Sequence, residues 1–267
     1  MSQKLRLDAL LVKKGLYSSR EKAKGDIMAG NVYIESILMD KPGTQVYEQS
    51  EIIIKQKAIP YVSRGGLKLE KALKFFDVDV VNKVVIDAGA STGGFTDCLL
   101  KNGAKKVYAV DVGYGQLDYG LRIDERVVVL ERKNVRYLNI DDIGEKADII
   151  TADLSFISLS KVFNSFFQLL KDDGQLITLI KPQFEVGKGE VGKKGVVRDP
   201  KLHVKAIKDV FNMAESENFI PYNLTFSPIT GPKGNIEFLA CFKRVLLEKE
   251  SKVDIEQIVK DAHFELS

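Results

Sequence analysis

One stretch near the middle of the chain constrains the fold more than any other. The apolar run Val84–Ile86 ends in Asp87, and small residues from Gly89 to Gly94 then lead into a segment with helical spacing. In open α/β sheets a nucleotide-type ligand binds at the carboxyl end of the first strand, where such a turn opens into a helix. The stretch therefore predicts an α/β domain with a binding site at this loop.

Apolar runs and amphipathic segments alternate along the following chain, as strands and helices do in a doubly wound sheet. We predict strands at 83–87, 107–111, 127–131, 148–152, 174–181, 222–228 and 235–243. Helices are predicted at 67–76 and near 93–102, 116–121, 158–170 and 201–217. The last two strands have no helix between them and should form an antiparallel hairpin. The predicted fold class is thus α/β, a Rossmann-like sheet of seven strands that is mostly parallel.

The first 60 residues read as a small α+β module. Apolar residues from Leu5 to Val12 predict a helix that Gly15 ends, and a capping box from Ser18 to Glu21 starts a second helix that stops near Gly30. Strands are expected at 31–34 and 51–55, with a turn at 41–43 between them. We predict domains at 1–58 and 64–248, an interdomain linker at 59–63 and a charged C-terminal tail at 249–267 that forms a helix.

The charge of this module is more informative than that of the whole chain. With 40 Lys and Arg against 37 Asp and Glu, the chain carries a net charge of only +3. From Lys4 to Lys24, however, the basic residues are opposed by Asp8 and Glu21 alone. A local basic face of this kind fits a phosphate footprint, and it also fits a solvated helix face.

Several function classes have no support in the sequence. Cys98 and Cys241 are far apart in apolar segments, which fits a reducing, cytoplasmic setting. No apolar run approaches the roughly 18 residues of a membrane span. The only histidines are His203 and His263, so we expect neither a metal site nor a histidine-based triad.

The loop after Asp87 lacks the second glycine of the Gly-x-Gly-x-x-Gly pattern, because Ala90 and Ser91 follow Gly89. This disfavours a pyrophosphate, although NAD stays an alternative. S-adenosylmethionine has no phosphate, and it needs small residues for close backbone approach and an acid for its ribose hydroxyls. Asp111 supplies that acid at the end of the next strand. The predicted cofactor residues are Asp87, Gly89, Ala90, Ser91, Thr92, Gly93, Gly94, Phe95 and Asp111.

Charged residues also end the later strands. Asp153 follows the fourth strand and Lys181 the fifth, at the edge where the cofactor would lie. A lysine that closes an apolar strand is costly unless it is paired or functional. Lys68 and Glu237 should reach the same edge, although Lys68 could belong to a solvated helical stripe and Glu237 could point outward.

These four residues match the Lys-Asp-Lys-Glu tetrad of the FtsJ-like ribose 2′-O-methyltransferases. The N-terminal module resembles the S-four-type RNA-binding domain. The residues that carry this resemblance are Arg6-Leu7-Asp8-x-Leu10-Leu11, Ser19-Arg20-x-x-Ala23 and Ile27-x-x-Gly30-x-Val32-x-Ile34. Together the two parts resemble the TlyA family, often labelled hemolysin A. The resemblance is carried by Ser63-Arg64-Gly65-Gly66-x-Lys68, Asp153-Leu154-Ser155-Phe156 and Lys181-Pro182-Gln183-Phe184-Glu185.

The resemblance implies S-adenosylmethionine-dependent methylation of cytidine 2′-hydroxyls in ribosomal RNA, with ribosomal RNA or ribosomal subunits as partners and no metal. We expect Lys181 to accept the hydroxyl proton or hold the oxygen in line, Asp153 to orient Lys181, and Lys68 and Glu237 to steer the ribose. Asn134 is expected near the adenosine, or else as a turn residue. The residues expected to contact RNA are Arg6, Ser19, Arg20, Lys22, Lys24, Arg64 and Lys188, the last in a glycine-rich segment at 184–198 that could gate the substrate.

Three other functions stay open at this point. The loop could serve an NAD-dependent oxidoreductase, which the missing glycine and the basic module disfavour. The chain could be a non-catalytic RNA-binding or ribosome-assembly protein, which would not need the four charged residues. A lytic role follows only from the family's label, since the sequence shows neither a membrane span nor an obvious lytic helix.

Overall fold

The computed structural model describes residues 4–17, 19–28, 30–54, 60–187, 189–192, 195–231, 233–244 and 253–266. The chain divides into two units, Met1–Ile59 and Pro60–Ser267. Of the linker expected at 59–63, Ile59 lies outside the described residues, and Pro60–Ser63 belongs to the second unit.

The N-terminal unit contains two helices and two small antiparallel sheets. Its elements are β1 (Lys4–Arg6), α1 (Leu7–Lys13), α2 (Arg20–Met28), β2 (Val32–Ile34), β3 (Ile37–Met39), β4 (Gln45–Tyr47) and β5 (Ile52–Ile54). β1 pairs with β4, and β2 lies between β3 and β5. The sheets and helices enclose a core formed by Leu7, Leu10, Leu11, Ala23, Ile27, Val32, Ile34 and Val46.

The helices of this unit differ from the prediction at their starts. Leu5 lies in β1, so the first helix begins only at Leu7. Ser18 of the expected capping box lies outside the described residues, and the hydroxyl of Ser19 accepts a hydrogen bond from the backbone N–H of Lys22 at 3.3 Å. β1, β3 and β4, each three residues long, were not predicted from the sequence.

The second unit is built on one seven-stranded sheet. Its elements are α3 (Gly65–Phe76), β6 (Val84–Ala88), α4 (Gly94–Lys101), β7 (Lys106–Asp111), α5 (Tyr119–Arg122), β8 (Val127–Glu131), α6 (Ile140–Ile143), β9 (Ala147–Ala152), α7 (Phe163–Leu169), β10 (Leu170–Ile180), α8 (Pro182–Glu185), α9 (Pro200–Ser216), β11 (Phe219–Phe226), β12 (Phe238–Arg244) and α10 (Ile255–Leu266). The strand order is β11-β12-β10-β9-β6-β7-β8.

The predicted sheet is confirmed, with a few shifted boundaries. β10, β9, β6, β7 and β8 run parallel, and β12 is antiparallel to both β10 and β11. The predicted helix at 116–121 begins only at Tyr119, because Asp118 caps it by accepting a hydrogen bond from the N–H of Gly120. β12 begins at Phe238, so Glu237 immediately precedes the strand that was expected to contain it.

Side chains on the strands alternate between two hydrophobic layers. Val85 packs in a cluster with Leu69 of α3 and Leu99 of α4. The next residue, Ile86, faces the opposite side and packs in a cluster with Phe163 of α7 and Ile207 of α9. Because helices cover both faces of the sheet, its polar side chains can meet a ligand where the strands end. Among the described residues, no helix is long and apolar enough to cross a membrane.

Candidate active site

The parallel strands β6, β7, β9 and β10 end at one edge of the sheet, so the residues that follow them lie side by side. β12 runs in the opposite direction, and its first residue, Phe238, pairs with Ile180 at the end of β10. Glu237 therefore lies beside Lys181 at the same edge. The antiparallel strand is what brings a residue from the end of the unit to this site.

The loop after β6 makes close backbone contacts that require glycine. Gly89 has a φ of +86°, and a Cβ atom there would lie 2.7 Å from the backbone oxygen of Asp153. Gly93 has a φ of +97°, and a Cβ would lie 2.3 Å from a methyl carbon of Leu121. A side chain at either position would be strained by the positive φ, and at Gly89 it would also push against fixed backbone, whereas the end of the Leu121 side chain could move aside for one at Gly93.

Asp87 supports this loop from below. Its side chain is fully buried and accepts hydrogen bonds from the hydroxyls of Thr96 at 2.6 Å and Thr151 at 3.2 Å. Burial raises the pKa of Asp87 to about 7, although the hydrogen bonds from Thr96 and Thr151 lower it. Asp87 does not line the cavities described below, so its buried side chain supports the loop, and its expected role in binding the cofactor stays a prediction.

Asp111 holds the loop from the side. One carboxylate oxygen accepts a hydrogen bond from the backbone N–H of Ser91 at 2.8 Å, and the other accepts from Gly113 at 2.6 Å. Ser63 packs against the same region, because a Cβ on Gly94 would lie 2.3 Å from its hydroxyl oxygen. The Ser63–Gly66 motif and the loop therefore form one tightly packed substructure.

Two short ion pairs contain the four charged residues that the sequence singled out. The Nζ atom of Lys181 lies 2.6 Å from an oxygen of Asp153, and that of Lys68 lies 2.6 Å from an oxygen of Glu237. Lys68 and Lys181 are each 8% exposed, and Glu237 is 1% exposed. Lys181 also donates a hydrogen bond to the hydroxyl of Ser155 at 2.8 Å. Charges this far from water are tolerated only when paired, and here each cation has its own carboxylate.

All four charged residues line a cavity of about 450 Å³, together with the loop after β6 and the exposed Arg64. A second cavity of about 620 Å³ shares Gly89, Ser91 and Asp153 with the first. Asp111 and Asn134 line this second cavity, and the side chain of Asn134 accepts a hydrogen bond from the N–H of Arg136. The two cavities thus adjoin across the loop.

A third cavity of about 370 Å³ adjoins the first on the other side and shares Ser155, Lys181 and Glu237 with it. Phe156 lines both the second and third cavities, is 92% exposed and has a φ of +65°. Its ring lies 5.2 Å from that of Phe184. Ser155, Phe156 and Gln183 have no role predicted from the sequence, although all three lie close in sequence to Asp153 or Lys181.

Glu185 links the segment after β10 to the segment after β9. Its carboxylate accepts hydrogen bonds from the hydroxyl of Ser158 at 2.7 Å and from the backbone N–H of Leu159 at 3.0 Å. Burial raises the pKa of Glu185, although these two hydrogen bonds lower it. The segment that carries Lys181 is thereby fixed to the segment that carries Asp153.

Known protein families match both units of the chain. The FtsJ-like methyltransferase family matches residues 61–244, and the S4 domain matches residues 5–52. The chain belongs to the FtsJ-like methyltransferase family. The expectations of a methyltransferase sheet and of an enzyme of this class are thereby confirmed.

Relatives of this FtsJ-like methyltransferase match it over most of their length. It is 53% identical to "Putative rRNA methyltransferase YqxC" of Bacillus subtilis, with 89% of this chain and 85% of the relative covered. It is 44% identical to "16S/23S rRNA (cytidine-2'-O)-methyltransferase TlyA" of Mycobacterium tuberculosis, with 89% of each chain covered. A solved structure, "Putative hemolysin from Streptococcus thermophilus", superposes with a TM-score of 0.77 at 42% identity, covering 99% of this chain and 98% of the other.

The N-terminal unit of this FtsJ-like methyltransferase presents the basic residues chosen for RNA contact. Arg6 and Arg20 are exposed, and both bind the fully buried Asp8, at 3.1 and 2.8 Å. Burial acts to raise the pKa of Asp8, but the hydrogen bonds from the two arginines outweigh it and lower the pKa to about 2. Lys22 is exposed, and Lys24 lies 3.7 Å from Glu21. Lys188 lies outside the described residues.

No metal site is visible in the part of the chain that the structure describes. There, no group of three or more His, Cys, Asp or Glu side chains is arranged to hold an ion.

Proposed function

We propose that this protein transfers a methyl group from S-adenosylmethionine to the 2′-hydroxyl of a ribose in ribosomal RNA, with cytidine as the target nucleoside. The observation that carries the proposal is the position of Lys181. Its amine is buried, is held by Asp153 and Ser155, and faces a cavity that the loop after β6 also lines. The named substrates of the relatives, ribosomal RNA and its cytidine 2′-hydroxyls, support the same substrate class.

The residues around the loop fit S-adenosylmethionine. Gly89 lines both cavities and so offers its backbone to close approach, and glycine is needed there because a side chain would collide with the backbone of Asp153. Asp111 lines the second cavity with acceptor capacity to spare, since each of its oxygens accepts one hydrogen bond and a carboxylate can accept about four. Asp111 would hold the ribose hydroxyls, and Asn134 would lie beside the adenosine. When bound, the cofactor supplies an electrophilic methyl group.

Lys181 would act on the ribose hydroxyl. An ammonium group has three N–H donors, and Asp153 and Ser155 occupy two of them. The third is free to hold the 2′-oxygen at a fixed position. As the oxygen gains its bond to the methyl group, Lys181 would give one of its own protons to the carboxylate of Asp153 and take up the hydroxyl proton, so that the carboxylate ends up protonated. Holding the oxygen in line would supply much of the rate, and the proton transfer typically contributes 10²- to 10⁴-fold.

The second ion pair would position the ribose. Lys68 and Glu237 lie on the wall of the first cavity and neutralise each other. A neutral pair adds little net charge beside the reacting oxygen and still offers donors and acceptors to the sugar hydroxyls. The rigid pairing with α3 would keep these groups in place when RNA binds.

The N-terminal unit would bind structured RNA. It matches the S4 domain, and its exposed Arg6, Arg20 and Lys22 suit contacts with phosphates. Because Asp8 orders both arginines, their guanidinium groups would meet the RNA at fixed positions. A ribosomal substrate would place the protein in the cytoplasm, which is the location we propose.

The test is transfer of labelled methyl groups from S-adenosylmethionine to purified ribosomal subunits in single turnovers. Lys181→Ala should lower the rate by about 10²- to 10⁴-fold, because the hydroxyl loses its holding and proton-accepting group. Lys171→Ala is the matched control: Lys171 sits near the other end of β10 and is also paired with an aspartate, Asp148, at 2.7 Å.

The alternatives give different results. A full rate with Lys181→Ala would refute the mechanism. Binding of RNA without any transfer by the wild-type protein would favour a ribosome-assembly role. Tight binding of NAD with no affinity for S-adenosylmethionine, measured by calorimetry, would favour an oxidoreductase.

A further inference from the structure

Gln183 carries a buried polar atom that nothing in the fold satisfies. Its side-chain oxygen Oε1 is inaccessible to water and has no hydrogen-bond partner among the described residues. A buried acceptor left unpaired destabilises a protein, so such an atom in a native fold calls for an explanation. The only other buried side-chain atom in this condition within the described ranges is the hydroxyl oxygen of Thr178, which lies inside β10 and lines none of the three cavities.

The position of Gln183 supplies that explanation. It stands two residues after Lys181 and lines the third cavity, which opens onto the ion-paired residues of the first. Any ribose held at Lys181 would carry its base within reach of this neighbouring space. The exposed ring of Phe156 gives the cavity a flat apolar face, as a nucleobase requires.

The other carboxamide and the carboxylate of the third cavity are already engaged. The amide of Asn235 accepts a hydrogen bond from the N–H of Val197 and donates one to the carbonyl of Gly195, each at 3.0 Å. Glu237 is paired with Lys68, and Lys181 is paired with Asp153. Of the carboxamides and carboxylates in this cavity wall, Gln183 is the one whose acceptor is unoccupied in the described structure.

We propose that Gln183 reads the target base: when RNA binds, a turn of the carboxamide brings its buried side-chain oxygen into the third cavity, where it accepts a hydrogen bond from the exocyclic amino group of cytosine. This inference rests on the function proposed above and assigns a specificity determinant to it. A carboxamide suits this edge, because its oxygen can accept from the amino group while its NH₂ donates to the adjacent ring nitrogen. Pairing with the base would also satisfy the orphaned acceptor, so the correct substrate would gain more than an average hydrogen bond.

The experiment compares two RNA substrates in single turnovers. One carries cytidine at the modified position, and the other carries the pyrimidin-2-one riboside, which differs from cytidine only by lacking the amino group. The wild-type protein should prefer cytidine by about 10- to 100-fold in kcat/KM, since the analogue leaves the Gln183 oxygen unpaired.

Three variants test whether the preference for cytidine depends on the side chain of Gln183. Gln183→Met, similar in size and apolar, should lose most of the preference by methylating cytidine more slowly. Gln183→Glu keeps an acceptor and should keep the preference. Gln168→Met is the control, because Gln168 lies exposed on α7 and, among the described residues, bonds only to Asn164, at 2.8 Å. Affinity for S-adenosylmethionine should be the same in all three, which separates loss of base reading from loss of folding.

The outcomes separate the two proposals. If the wild-type protein methylates no RNA, the proposed function fails. If it methylates cytidine but Gln183→Met keeps the full preference, or if the wild-type protein has none, only the role of Gln183 is overturned.

Discussion

At the scale of single residues, the site depends on two ion pairs that are largely withdrawn from water. Lys68 and Glu237 are the clearest case, since they are separated by 169 residues and are almost completely withdrawn from water. Removing one member of such a pair strands the other charge in a low-dielectric region, whereas replacing both by apolar residues can leave stability nearly unchanged. Stability and activity can therefore be separated by substitution.

Single and double substitutions of this pair should behave differently. Lys68→Met or Glu237→Leu alone should lower the free energy of unfolding by about 3–5 kcal/mol, because one buried charge loses its partner. The double variant Lys68→Met/Glu237→Leu should regain most of that stability while methyl transfer stays low. Urea denaturation and a methyl-transfer assay measure the two effects, and a fully active double variant would show that the pair only supports the fold.

Gly89 allows a second test at this scale. Gly89→Ala should weaken binding of S-adenosylmethionine, because the new methyl group would push against the backbone of Asp153 and shift the loop. Gly144→Ala is the matched control: Gly144 has nearly the same φ, +85°, with nothing within 4 Å of a new Cβ. Calorimetry should show a loss of cofactor affinity for Gly89→Ala alone. Equal losses in both variants would point to backbone strain in general and not to the loop.

At the scale of elements, Glu185 of α8 connects the segment after β10, which carries Lys181, to the segment after β9, which carries Asp153. Glu185→Ala should release the loop after β9, because Ser158 and the N–H of Leu159 lose their acceptor. A loss of kcat of about tenfold or more is expected, with little change in cofactor affinity, since small misplacements of reacting groups reduce rates strongly. Glu185→Gln can still accept from one partner and donate to the other, and it should recover most of the activity. Equal activity of the two variants would show that the hydrogen bonds of Glu185 do not position the loop after β9.

The C-terminal helix α10 is attached to α9 through a pair of histidines. His203 Nδ1 lies 2.9 Å from His263 Nε2, and His203 Nε2 lies 3.2 Å from the carbonyl of Val197. A carbonyl only accepts, so neutral His203 carries its proton on Nε2 and accepts a hydrogen bond from His263 on Nδ1. Burial and the neighbouring His263 lower the pKa of His203 from 6.5 to about 4, and burial also lowers the pKa of His263.

These histidines predict a pH dependence of stability. Between pH 6.5 and 4, His203 and His263 bind protons in the unfolded chain more readily than in the folded chain. The free energy of unfolding should therefore fall as the pH decreases through this range. The wild-type protein should lose about 3 kcal/mol more than the variant His203→Gln/His263→Gln between pH 7 and pH 4. Asp87 and the other carboxyl groups are common to both proteins and cancel in the comparison. Parallel curves from denaturation at each pH would contradict this assignment.

At the scale of the whole molecule, binding of RNA and chemistry are assigned to different units of the chain. Arg6→Gln/Arg20→Gln, which keeps N–H donors for the buried Asp8, should raise the KM for ribosomal RNA and reduce the slope of its salt dependence by about 2, because two phosphate contacts are lost. The saturated rate and the cofactor affinity should be unchanged. Lys13→Ala, which removes a cation paired with Glu48 in the same unit, is the control. A fall in the saturated rate of the arginine variant would contradict this division of labour.

Much of this architecture could be predicted from the sequence because its signals are local. The strand-end positions of Asp111, Asp153 and Lys181 follow from apolar runs that stop at them, and all seven strands of the large sheet were found in this way. Partners distant in sequence were not visible in the same way. That Asp87 turns inward to Thr96 and Thr151, and that Glu185 reaches Ser158, depends on how neighbouring strands are packed. Gln183 stood inside a recognised motif, but only burial shows that its oxygen has no partner.

The most direct test of the central claim is the chemical position of the methyl group. Ribosomal RNA treated with the wild-type protein and S-adenosylmethionine should yield, after nuclease digestion and mass spectrometry, cytidine methylated on its ribose, and Lys181→Ala should yield almost none. Methylation found on a base, or ribose methylation that persists at the full rate in Lys181→Ala, would contradict the account.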